Sequence, residues 1–191
     1  MEDDAALVAR AQAGDPEAFD ALVRKHQQQV YAVAVRMLGD AGEAEDAAQD
    51  AFVRAYQALG TFRRDAKLST WLVAIVMNVC RNRRRWWARR KRVIAGSLDA
   101  ADPDTDTPHL DAADPSPDPS AAAQRQDEAR VVLSALQTLS DMDREVIVLR
   151  DLQGHSYEEI AEILGCQLGT VKSRISRARW QLRAVLDGAM R

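Results

Sequence analysis

Within eight positions the chain places Thr170, Lys172, Ser173, Arg174, Ser176 and Arg177 around Val171 and Ile175. Hydroxyls donate and accept, and ammonium and guanidinium groups donate in several directions, so this set suits base edges and phosphate oxygens. Val171, Ile175, Ala178 and Leu182 recur at helical spacing and form one apolar stripe. Ser173, Ser176, Arg177 and Trp180 then lie on the opposite side, with Thr170 and Lys172 on its flanks. Upstream, Ile160, Ile163 and Leu164 repeat at the same spacing, and Gly165 follows them as a helix stop. A helix, a tight turn and a second helix with a polar reading face is an arrangement that enters a DNA major groove. An ordinary amphipathic hairpin with a solvated basic face explains the pattern less well, because turn, stripe and cation placement all agree. Arg177, on the polar side, is expected to be exposed, so that its removal would alter base recognition with little effect on stability.

A second concentration of charge lies earlier. Arg81 to Arg92 holds eight cations and no acid. The negative end of a helix dipole accommodates some of them. Eight like charges in twelve residues repel one another without a polyanion nearby, which points to phosphate contact. Trp86 and Trp87 within the run suit either stacking on bases or capping the local core. Glu43, Glu45, Asp46 and Asp50 raise the question of a metal site, but on a helix with basic neighbours they read as a solvated or partner-binding face. His26, His109 and His155 are scattered, and the chain has no Gly-rich phosphate loop, no His-Glu-x-x-His and no Cys-x-x-Cys. No catalytic centre, metal or cofactor is expected.

These groups need scaffolds. The 191 residues suffice for one large domain or two small ones, and the net charge of -3 conceals its segregation. Against the basic run stands Val93 to Gln124, with seven aspartates and no Lys or Arg. Five of the six prolines fall in this stretch, from Pro103 to Pro119. Such a composition buries too little apolar surface to offset ordering, so about Gly96 to Ala123 reads as an extended linker. Cys80 and Cys166 are far apart and outside any metal-ligand pattern, which suits small core hydrophobes in a reducing compartment. Glu2, Asp3 and Asp4 are unlike a signal peptide, and no apolar run is long enough to span a membrane.

The predicted fold is all-α: two small helical domains, 1-95 and 124-191, joined by a flexible acidic linker, 96-123. Asp15-Pro16 starts a helix that Gly39 stops. A second runs from about Ala41 to Leu59, and Gly60 ends it. A loop, Thr61 to Leu68, follows. Ser69 or Thr70 caps a third helix to about Val93, with Trp71, Leu72, Ile75, Val76 and Val79 on its inner side. Trp71 is expected to be core, or half-buried beside a pocket. In the second domain, helices are predicted over Gln124 to Gln137 and, capped by Ser140-Asp141, over Met142 to Asp151, before the helix-turn-helix.

Four segments in this order resemble one family. Asp15-Pro16-Glu17-Ala18-Phe19 with Leu22, Val23 and Tyr31 resembles the opening of bacterial sigma factors of the extracytoplasmic-function group. Ala44 to Tyr56 is similar to the segment that grips the β′ coiled coil of RNA polymerase. Phe62-Arg63, Ser69-Thr70-Trp71-Leu72 and Asn78 resemble the promoter-opening segment, although Ala74 stands where arginine is common and Leu68-Ser69 where aromatic residues are. Leu139-Ser140, Arg144-Glu145, the Tyr157 to Ala161 segment and Gly169 to Arg174 resemble the -35-reading domain.

The resemblance implies a non-enzymatic, cytoplasmic initiation factor whose partners are core RNA polymerase (β′ coiled coil and β subunit) and promoter DNA, with no small-molecule substrate. An anti-sigma factor is a further partner common in the group. Asp46, Gln49, Asp50, Phe52 and Arg54 would meet polymerase. Arg63, Lys67, Trp71, Asn78, Asn82, Arg84, Arg85 and Arg89 would meet the -10 element. Thr170, Lys172, Ser173, Arg174, Ser176 and Arg177 would read the -35 element. Two other readings are a stand-alone helix-turn-helix regulator, which would need a ligand pocket or dimer surface in the first domain, and a protein that blocks polymerase.

Overall fold

The computed structural model describes residues 3–63, 67–95 and 119–189. Among them the structure is wholly helical: α1 (Asp4–Gln12), α2 (Pro16–Leu38), α3 (Ala41–Ala58), α4 (Leu68–Ala95), α5 (Pro119–Thr138), α6 (Asp141–Ile147), α7 (Tyr157–Leu164) and α8 (Leu168–Ala189). A 3-10 turn, Leu59–Thr61, follows α3, and a π turn, Val148–Leu152, follows α6. Most of the predicted linker, 96–118, lies outside the described residues, as do Arg64 in the predicted loop and His109.

Local chemistry sets the ends of the long helices. The Asp15 carboxylate accepts from the N–H groups of Glu17 and Ala18, and Pro16 occupies the first turn, so α2 starts there. Gly39 ends it at φ +78°, a left-handed conformation that favours glycine. Asp40 caps α3 by accepting from Glu43 N–H at 2.7 Å. Ser156 and Glu159 form a reciprocal capping box on α7, and Gly165 closes it in the left-handed region.

Three helix starts differ from the sequence expectation. Helix α1 was not anticipated: only Leu7 and Val8 are buried in its nine residues, too few for a periodic signal. Helix α4 begins at Leu68, where the Trp71 N–H donates to Lys67 O, rather than after a Ser69 or Thr70 cap. Helix α5 begins at Pro119, within the stretch expected to be linker, because proline fits a first helical turn as well as an extended chain.

The first domain packs α2, α3 and α4 together, with α1 along α2. Ala44, Ala47, Ala48, Ala51 and Ala55 line the buried side of α3, and these small side chains let its neighbours approach closely. Leu22, Val30, Val33, Met37, Val73, Val76 and Met77 fill the centre. Cys80 is buried among them, and burial pushes its thiol up to about 12, so it stays protonated as a small hydrophobe. In the second domain Leu136, Val146, Ile147, Leu149 and Ile160 pack against Val171, Ile175 and Ala178 of α8.

Hydrogen bonds link the two domains. Arg144 on α6 has no exposed surface. It donates to the carbonyls of Leu136, Gln137 and Leu139 in its own domain, and to Met37 O of α2 at 3.0 Å. Gln137 donates to Arg36 O. Both acceptors lie at the negative C-terminal end of α2. Burial, reinforced by the like charge of Arg84, pulls Arg144 down to about 10, so it still carries its charge at neutral pH. The backbone conformation favours glycine at position 39, and a Cβ there would stand 2.7 Å from the Gln137 side chain and displace it.

Candidate nucleic-acid interface

Helix α4 turns three faces to three surroundings. Toward α3, Arg83 bonds to Glu43 at 2.6 Å and Asp50 at 2.9 Å, with Asp46 at 3.8 Å. Toward the second domain, Arg81 bonds to Glu145 at 2.8 Å and Arg84 to Asp141 at 2.7 Å. Glu145 is buried, and its hydrogen bond holds the Arg81 guanidinium above its ordinary value. The third face carries Asn78, Asn82, Arg85 and Arg89 at i, i+4, i+7 and i+11 spacing, all exposed. Among the described residues no acid pairs with Arg85 or Arg89. Asn78 also accepts from Arg81 at 2.9 Å through Oδ1.

Trp71 begins the same stripe. It is half-buried, with its ring 4.9 Å from that of Phe62. Arg63 and Lys67 are exposed on the loop before it. Trp86 is 48% exposed under the Arg90 guanidinium, whereas Trp87 is half-buried against the core. One tryptophan thus points outward and the other inward.

Arg84 does not join the open stripe. In this arrangement its guanidinium faces Asp141 and Met37 O. The α3 acids are also not simply solvated: Glu43 and Asp50 bridge to α4 through Arg83. Asp46, Gln49, Asp50 and Arg54 nonetheless remain exposed on α3, and Phe52 is half-buried. Val53 and Tyr56, at 57% and 59% exposure, add an apolar component to that surface. Val53 was not singled out from the sequence, because one outward apolar residue on a helix is no signal by itself. A groove between α2 and α3, lined by Gln28, Tyr31, Gln49 and Phe52, runs beside it.

On α8, Lys172, Ser173, Ser176 and Trp180 are exposed, while Thr170 and Arg174 are half-buried. Ser173 spends its hydroxyl proton on Thr170 O at 3.0 Å. Arg177 is exposed but engaged: its Nε and Nη2 donate to Asp143 Oδ1 at 3.2 and 2.6 Å. Asp143 is buried. The expectation that Arg177 could be removed with little structural effect is therefore corrected, since its loss would strip a buried carboxylate of its main partner. Asp143, Asp141, Glu145 and Arg144 all sit on one seven-residue helix, α6. The signal available in the sequence was the Ser140 to Asp143 spacing, which marks a helix start and says nothing of distant partners.

Two helical domains, each offering an open polar face and one of them a helix-turn-helix, define a DNA-binding protein rather than an enzyme. Residues 22–92 match Sigma-70 region 2, and residues 129–182 match Sigma-70, region 4. The chain is 38% identical over 192 residues to the RNA polymerase sigma-H factor of Pseudomonas aeruginosa, covering 100% of this chain and 97% of that one. It is 36% identical to the ECF RNA polymerase sigma-E factor of Escherichia coli over 92% of this chain and 90% of the relative. Among solved structures it resembles the sigma factor RpoE in complex with the anti-sigma factor NepR from Bartonella quintana, with TM-score 0.67, 28% identity and coverage of 88% and 96%. It also resembles CnrH in complex with the cytosolic domain of CnrY, with TM-score 0.66, 31% identity and 97% of both chains covered.

The chain belongs to the extracytoplasmic-function group of RNA polymerase sigma factors. It is a non-enzymatic protein that directs RNA polymerase to promoters. The match to region 2 replaces the stand-alone regulator reading of the first domain. No described helix is long and apolar enough to cross a membrane.

Proposed function

We propose that residues 1–95 carry the polymerase and -10 surfaces, and that residues from Pro119 onward carry the -35 surface. The observation that carries this reading is the open stripe of α4. Asn78 and Asn82 offer amides suited to exposed base edges, and Arg85 and Arg89 continue the line with cations suited to phosphates. Trp71, Phe62, Arg63 and Lys67 extend it toward the loop, where an unstacked base would be held. On α8, Lys172, Ser173, Ser176 and Arg177 face the major groove of the -35 element, with Thr170 and Arg174 at its edge. On α3, Asp46, Gln49, Asp50, Phe52 and Arg54 meet the polymerase coiled coil, with Val53 and Tyr56 as its apolar part.

Promoter contact needs the two domains to separate. The two elements stand about 25 base pairs apart, on the order of 85 Å at roughly 3.4 Å per step. Here Arg84 and Asp141 touch at 2.7 Å. The stretch between Ala95 and Pro119 reaches roughly 80 Å when extended, which together with the domains' own width spans that distance. Separation frees Arg84 for the -10 phosphates, as the sequence implied. The related RpoE is in complex with an anti-sigma factor, NepR, and the arrangement of this chain is suited to a partner of that kind. We place the protein in the cytoplasm, where polymerase is.

Run-off transcription with core polymerase and a promoter library tests the proposal. New transcripts starting downstream of a shared two-part motif are expected. Asp50→Arg is expected to weaken co-purification with core enzyme, most strongly at low salt, where the charge reversal is least screened. Transcripts without a shared motif, or unchanged co-purification, would remove the corresponding surface.

A further inference from the structure

We propose that Asp143, on α6 and outside the helix-turn-helix, is the positioning residue for base reading by Arg177. The inference rests on the assignment of Arg177 to the -35 surface and adds a residue that does not itself touch DNA.

The geometry divides the Asp143 carboxylate between two tasks. Oδ2 accepts from Ser140 Oγ at 2.7 Å, and Ser140 Oγ in turn accepts from Asp143 N–H at 3.2 Å. That pair is a helix start and uses one oxygen only. Oδ1 is given to Arg177, whose Nε and Nη2 both point at it. Asp143 is 2% exposed, so it is fixed by the domain around it, whereas the Arg177 side chain is 54% exposed. The guanidinium is thus held from behind by one edge. Its Nη1 and the outer hydrogen of Nη2 remain as a free end-on fork.

That fork is the part of an arginine that meets guanine O6 and N7 together. A free surface arginine has many rotamers, and ordering them opposes binding. A guanidinium already oriented by a buried carboxylate has fewer to lose, and its fork points in one direction before DNA arrives. Burial by itself would raise Asp143, but the hydrogen bonds from Arg177 and Ser140, with the charges of Arg177 and Arg174, outweigh it and hold the carboxyl below its ordinary value. The acid is therefore ionised whenever the protein works near neutral pH. Arg179 makes an outwardly similar pair with Asp151, at 2.5 Å through Nη2. It occupies a different position around α8, outside the proposed reading set.

The test is transcription by core polymerase with the full-length protein, on promoters randomised across the -35 element. The readout is the base-preference matrix rather than total yield. Arg177→Ala is expected to flatten preference at one or two positions by about tenfold. Asp143→Asn should flatten the same positions and add nothing further in the Arg177→Ala background. Asp151→Asn should leave the matrix unchanged, which separates positioning from general weakening of the domain. Asp143→Glu keeps the charge and displaces it by a methylene, so an intermediate flattening at the same positions is expected; it decides the matter should Asp143→Asn fail to fold. If Arg177→Ala flattens those positions while Asp143→Asn and Asp143→Glu leave them sharp, or lower all promoters equally, the positioning role is wrong and the assignment of Arg177 stands. If Arg177→Ala itself lowers all promoters equally, the assignment falls and the positioning role with it.

Discussion

Arg84 and Arg85 are neighbours in the basic run of α4, yet one is tied to Asp141 of the other domain and the next reaches into solvent. The same division appears on α8, where Lys172 and Ser176 face outward while Arg177 and Arg179 are anchored to acids of α6 and the π turn. The two regions differ in what the anchoring does. On α4 the tied arginines join structural units: Arg83 links α3 to α4, and Arg81 and Arg84 link the domains. On α8 the tied arginines stay within one domain, and at Arg177 the tie leaves a donor edge open. Cation number therefore says how strongly a segment suits a polyanion. The position of each acid says which cations are available and in which direction they point.

The comparison breaks most visibly at Arg144, the cation with no free edge. Arg144→Ala removes a donor from four carbonyls, of which Met37 O keeps only the longer bond from Arg84 and Leu136 O the N–H of Leu139, and urea unfolding should show a loss of about 3 kcal/mol. Stability near that of the unaltered protein would mean that water replaces the guanidinium and that the interface is not closed in solution. A smaller effect is expected at the domain-linking pair. Arg84→Asp should raise the radius of gyration seen by small-angle scattering, and the exchange Arg84→Asp with Asp141→Arg should restore it. At Arg83, which three partly exposed acids surround, Arg83→Ala should cost about 0.5–1 kcal/mol of domain stability, reduced further by salt.

The untied arginines should behave in the opposite way. Arg85→Ala and Arg89→Ala should leave thermal unfolding unchanged, weaken all promoters alike, and each lower the salt slope of DNA binding by about 0.7–0.9. A loss of stability in either would show that the stripe is structural. The smallest effect concerns protonation. Because Asp143 is held below its ordinary value, its contribution to stability is present above about pH 4, the unfolded carboxylate range, and is lost as pH falls through the lower folded value. The stability difference between the unaltered protein and Asp143→Asn should therefore be constant near neutrality and shrink below about pH 4. A difference that persists in strong acid would assign it to packing rather than charge.

What could be read from the chain was local. Asp15-Pro16, Gly39, the Ser156 to Glu159 spacing and Gly165 announce helix ends because caps act over three or four residues. The stripes of α4 and α8 follow from helical periodicity, so Val76, Val79, Val171, Ile175 and Ala178 were legible as core and Ser173 and Ser176 as outward. The all-helical class and the sigma-factor family were legible for the same reason: several local patterns occur in order.

The remainder depended on residues far apart in sequence. Whether Arg84 or Arg85 is free, whether Arg177 swings or is held, and which tryptophan points inward depend on acids and cores brought up by other helices. Arg81 meets Glu145 across 64 positions, and Arg177 meets Asp143 across 34. A one-dimensional pattern can state that a side chain faces away from its own helix's stripe. Only packing decides whether that outward face meets water, DNA or a carboxylate, because charge interactions act through space and carry no sequence period.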